Sequence, residues 1–217
     1  MWLRASHAIL AGVAGVLSAP ALVSATPVGC PATEAEYALS GTLQLSDTPM
    51  GLGNGTYDIG PGRAVLRFEG KSVTMLSYTM REYFTVQTRT AFWKTAVTTN
   101  THSSATPDAC GVVAKGTLVG NTVHWLTPIR AYRTDGTLTC NGSFCGDFGA
   151  PPAGDSPFHV GPAPTRFNDF VFSRDWKTFT MAKTFATKTD VPKQTSAVTT
   201  SGRELWRTCA QPRPCAR

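Results

Sequence analysis

The chain has 217 residues, a formal net charge of +6, 41% hydrophobic residues and 16% charged residues. That balance excludes an intrinsically disordered chain, and the length allows one sizeable core without a structural metal. The 20 Lys and Arg residues form no basic run, so nucleic acid is not an expected partner.

The N-terminal segment has the three-part order of a secretory signal peptide. Arg4 supplies a positive charge, residues 8–23 are apolar, and Val23-Ser24-Ala25 offers small residues for cleavage. Residues 1–25 are therefore expected to leave, giving a mature chain of residues 26–217 that is secreted, periplasmic or held at the cell surface. Pro20 and the Gly, Ser and Ala content argue against a spanning helix there, and no other stretch is apolar enough for a transmembrane helix. Pro27-Val28-Gly29 lacks the Leu-like residue expected three positions before a lipidated cysteine, which argues against a lipid anchor at Cys30.

All six cysteines, Cys30, Cys110, Cys140, Cys145, Cys209 and Cys215, lie beyond the signal. Export into an oxidising compartment turns an even number into an expected set of three disulfides. The Gly-containing spacer between Cys140 and Cys145 makes that pair the favoured one. No C-x-x-C or H-x-x-x-H spacing occurs, so neither a metal nor a cofactor is expected.

The mature chain reads as strand after strand. Threonine, which is β-branched and suits a pleated surface, occurs 31 times. Tyr37, Leu39, Leu43 and Leu45 alternate with polar residues, as do Ala64, Leu66 and Phe68 further on. Residues 73–89 are long for one strand. Leu76, Tyr78, Met80, Phe84 and Val86 share a parity that Glu82 interrupts, and a bulge near residues 80–82 would return Glu82 to solvent. A further strand is expected near residues 91–99, carrying Phe92 and Trp93. Gly120-Asn121 and Asp135-Gly136 each read as a tight turn between paired strands. Residues 141–166 hold ten Gly or Pro residues and read as a long ordered surface loop within a single domain. Strands resume over residues 167–181, and a short helical turn is expected near Glu204. The expected fold is all-β: one antiparallel β-sandwich or β-barrel of about a dozen short strands, stapled by disulfides.

Chemistry is hard to find in this pattern. There is no G-x-S-x-G elbow, and a triad of His102, Asp108 and Ser103 or Ser104 rests only on closeness in sequence. Glu82 would be a carboxylate on a buried face, yet it has no evident partner for glycosidase chemistry. The Gly/Pro loop gathers Phe144, Asp147, Phe148, Asp155, Phe158 and His159. With Glu82 these are the candidate binding residues, because exposed aromatics on a scaffolded loop can stack on a sugar or an apolar ligand. The expected role is a non-catalytic β domain that binds a small ligand, a glycan or a protein surface. The alternative is a secreted hydrolase of ester or glycosidic bonds. Asn54-Gly55-Thr56 and Asn141-Gly142-Ser143 fit the N-glycosylation pattern.

Overall fold

A computed structural model describes residues 30–46, 54–89, 94–127, 129–147, 150–165, 167–187 and 194–211. The proposed signal peptide, Phe92, Trp93, Phe148 and Cys215 lie outside them. The described residues form eleven strands and no helix: β1 (Ala32–Ser46), β2 (Gly55–Glu69), β3 (Ser72–Arg89), β4 (Lys94–Ala105), β5 (Ala114–Val119), β6 (Thr122–Trp125), β7 (Ile129–Gly142), β8 (Gly154–Thr165), β9 (Phe170–Phe172), β10 (Thr178–Thr187) and β11 (Gln194–Ala210).

Eight of these close into an antiparallel barrel. The ring runs β2-β1-β11-β10-β9-β6-β5-β3, and pairing of β3 with β2 shuts it. A barrel of about eight strands has an interior just wide enough for side chains to fill. Here Tyr37, Phe68, Phe170, Phe172, Trp176 and Phe179 fill it, all at most 4% exposed. Phe170 and Phe179 stack with ring centroids 4.4 Å apart, while Tyr37 meets Phe172 and Phe179 edge-on at 5.7 and 5.3 Å. Gly202 is required beneath Phe179, because a Cβ there would run into its ring. The Tyr37 hydroxyl, buried among these rings, donates to the Trp176 carbonyl at 3.0 Å. The Cys30–Cys209 bridge staples β1 to β11 beside the paired residues Thr33 and Cys209.

The barrel carries an extension. Strand β3 is 18 residues long; its first half belongs to the barrel, and residues 78–89 pair with β4. Strands β7 and β8 then add outward in antiparallel register, making a four-stranded sheet with β8 at its edge.

Several sequence expectations change here. The irregularity in β3 falls at Leu76, where partners of β2 pass from Ser77 to Met75, and not near residues 80–82. The bulge switches the buried parity from Val73 and Met75 to Tyr78 and Met80, so Glu82 stays in phase with the inner face. Asp135-Gly136 is not a turn. Both residues sit mid-strand in β7, paired on one side with His102 and Thr101 and on the other with His159 and Phe158. Glycine is needed at 136 because a Cβ would lie 2.8 Å from Thr101 Cγ2 and 2.9 Å from the Phe158 ring. The second half of the expected loop over residues 141–166 is strand β8 (Gly154–Thr165). Its prolines are tolerated because an edge strand leaves N–H groups unpaired on one side. No helical turn forms at Glu204, since β11 runs on against β1, with Glu204 opposite Tyr37.

Candidate functional site

The extension presents two faces with different chemistry. Residues directly opposite one another on antiparallel strands point to the same side of the sheet. One cross-strand row is therefore Glu82, Thr101, Gly136 and Phe158, and the next is Arg81, His102, Asp135 and His159 on the reverse side.

The inner face is the drier one. Thr101 and Ser103 are buried, and Glu82, Phe84, Tyr132, Leu138 and Phe158 are half-buried. Thr101 Oγ1 donates to Glu82 Oε2 at 3.2 Å, and Ser103 and Thr134 share a hydrogen bond of 2.8 Å. Burial pushes the Glu82 carboxyl above the usual carboxylate range, opposed by the Thr101 hydroxyl, which favours the charged form. The Tyr78 and Tyr132 hydroxyls are pushed up as well, first by burial, with the Glu82 charge adding to it. Tyr57 from β2 leans against Phe84 with ring centroids 5.2 Å apart.

The outer face is polar and open. Arg81, Tyr83 and Gln87 of β3, Asn100 and His102 of β4, Arg133 of β7, and Asp155, Pro157 and His159 of β8 are exposed, Tyr83 to 67%. Between them lie half-exposed threonines: Thr85 and Thr98 share a 2.9 Å hydrogen bond, and Thr139 donates to Asp155 at 2.7 Å. Asp135 is the hub of the charged row. It meets His159 Nδ1 at 2.6 Å and accepts from Arg133 Nε at 2.8 Å. Those two contacts, His159 first, hold its carboxyl below the usual range.

The seven candidate residues are thus not one site. Glu82 and Phe158 share the inner face, while Asp155 and His159 lie on the outer one. Phe144 and Asp147 sit in the turn closed by the Cys140–Cys145 bridge, whose Cα atoms are 5.8 Å apart, and the Phe144 amide donates to Thr95 Oγ1 at 3.1 Å. Phe148 is outside the described residues. Cys110 is also oxidised, and no free cysteine occurs among the described residues. The triad drawn from sequence closeness does not form as a unit: Ser103 is buried on the inner face, Ser104 shares the outer face with His102, and Asp108 is taken up by the amides of Cys110 and Val112, from which it accepts at 2.9 Å each. His159, expected in the Gly/Pro loop, is a strand residue, as is His102.

Sequence reasoning passed over Arg81, Tyr83, Asn100, Arg133 and Asp135. The available signal was the polar parity of residues 81–87 and 133–139, read as a face in its own right. Among the described residues no group of three or more His, Cys, Asp or Glu could hold a metal ion, and no helix is long and apolar enough to cross a membrane. No family model matches the chain, and no curated protein or solved structure matches it.

Proposed function

We propose that this protein is an exported, non-catalytic binding domain that holds an extended polar ligand, a glycan, on the outer face of the β3–β4–β7–β8 sheet. The observation that carries this reading is the face itself. Four strands present hydroxyl, amide and charged groups in register, with Tyr83 standing 67% exposed among them. An open array of donors and acceptors around one aromatic ring suits a sugar chain, which offers hydroxyls at its edges and C–H groups to a ring face. The barrel behind the sheet keeps the array ordered before a ligand arrives. The disulfides suit an extracellular setting.

A hydrolase would need a carboxylate and a histidine to converge in a cleft; the sheet itself lies between Glu82 and His159, and the two described carboxylate–histidine contacts, Asp135 with His159 at 2.6 Å and Asp169 with His124 at 2.7 Å, are made by exposed histidines. The barrel interior, filled with rings, offers the ligand no lumen.

The test is a glycan array probed with the disulfide-intact protein and with Tyr83→Ala. Binding to a glycan that falls at least tenfold in Tyr83→Ala, but not in Val171→Ala on the barrel, supports the reading. Absence of any glycan ligand, or a ligand indifferent to Tyr83→Ala, overturns it.

A further inference from the structure

The fold does something that the linear sequence hides: it gathers basic side chains that are far apart in the chain. Arg81, His102 and His159 come from three strands and line up in one row, with Arg133 beside them on β7. Lys94 of β4 is exposed further along the same face. The only described acidic side chains on this face are Asp135 and Asp155. Asp135 is engaged by Arg133 and His159, and Asp155 accepts from Thr139. Adjacent strands stand roughly 4.8 Å apart, so the row offers one ionisable side chain per strand over roughly 14 Å.

Resting on the reading of this face as a glycan surface, we infer that its ligand class is an acidic polysaccharide, a polyuronate, and that the protein holds it more tightly in acid than at neutral pH. Among the described side chains, three fixed cations (Arg81, Arg133 and Lys94) against two carboxylates (Asp135 and Asp155) give the face +1. Protonation of His102 and His159 takes it to +3. Histidine is the side chain that ordinarily gains its charge across pH 8 to 5. The charged groups beside these two rings are Arg81 from β3 and Arg133 and Asp135 from β7, while Asp155 lies further along β8, opposite Thr139. Asp135 is held in its charged form by His159 and Arg133, so acidification of the medium adds cations before it removes that anion. The uronate carboxylates stay charged over the same range, since ordinary carboxyl groups titrate below it. Complementary charge then raises both the encounter rate and the affinity.

The experiment titrates the disulfide-intact protein with polygalacturonate, with its methyl-esterified neutral form, and with duplex DNA, at pH 5 and pH 8. The expected result is polygalacturonate binding roughly tenfold tighter at pH 5 than at pH 8. The pH effect should vanish in His102→Gln/His159→Gln, and binding at both pH values should weaken in Arg81→Gln/Arg133→Gln. Equal binding of the methyl-esterified polymer overturns the acidic ligand class while leaving the glycan face standing. Duplex DNA held as tightly as polygalacturonate shows a generic polyanion surface and overturns the polyuronate assignment. Binding of neither polymer overturns the inference and the reading beneath it together.

Discussion

The barrel and its four-stranded extension share one sheet and one strand, β3, yet they are held together by different means. In the barrel, eight strands turn an aromatic face inward, and Tyr37, Phe68, Phe170, Phe172 and Phe179 are at most 2% exposed. In the extension, neither face is sealed to that degree: a hydroxyl pair, a carboxylate and a few half-buried rings line one side, and water meets the other. Apolar burial at about 25 cal/mol per Å² dominates the first region, whereas cross-strand pairs of roughly 0.2–1 kcal/mol each hold the second. A binding face costs less to build on the second kind of sheet, because its polar groups need no buried partners.

The two disulfides joining described cysteines give the sharpest contrast. Cys30–Cys209 closes 179 residues of sequence across the barrel seam, and Cys140–Cys145 closes only 5 within the extension. In the loop-entropy account the long closure is worth about 5 kcal/mol and the short one about 2 kcal/mol. Denaturant unfolding of Cys30→Ser/Cys209→Ser should therefore lose more than twice as much stability as Cys140→Ser/Cys145→Ser. Equal losses would mean that local order around the β7 turn, and not chain closure, sets the value of these bridges.

Ring truncations probe the same difference at smaller scale. Phe172→Ala empties a site 2% exposed and flanked by Tyr37, Phe68, Trp176 and Phe179, and should cost about 3–5 kcal/mol. Phe84→Ala on the inner face of the extension removes a half-buried ring touching Tyr57, and should cost about 1–2 kcal/mol. Chemical-denaturation midpoints separate the two, and a cost at Phe84 matching that at Phe172 would reveal a second sealed core.

The same contrast explains what was legible in the sequence. The barrel strands announce themselves because one parity is apolar: Tyr37 and Leu39, then Ala64, Leu66 and Phe68, are all buried as their alternation requires. The extension does not, because both parities of β4 and β7 carry Thr, Ser and Asn, and alternation without an apolar side fixes no face. Local chemistry then misleads. Asp135-Gly136 has the composition of a hairpin turn, but its glycine is there for the Phe158 ring, a contact from a strand some 20 residues later that no local window reports. Leu76 likewise looked like part of the apolar stripe and is instead the bulge that resets it. The charged row was invisible for a related reason, since Arg81, His102, Asp135 and His159 become neighbours only through three strand pairings.

Glu82 offers the smallest effect and the most direct reading of how dry the inner face is. Its carboxyl titrates above the ordinary glutamate value because burial disfavours the charge, and the single hydroxyl of Thr101 offsets this only in part. A group whose pKa is raised on folding binds its proton more tightly in the folded state. Its contribution to stability is fully present below the unfolded value and is lost as pH rises through the folded one. Glu82→Gln keeps an oxygen to accept from Thr101 and removes the charge. Stability of the two proteins should coincide near pH 4, and the Gln variant should pull ahead by on the order of 1 kcal/mol at pH 8. A variant that is less stable at pH 8 would mean that the carboxylate is stabilised in its charged form, and the inner face would then have to be wetter than its burial indicates.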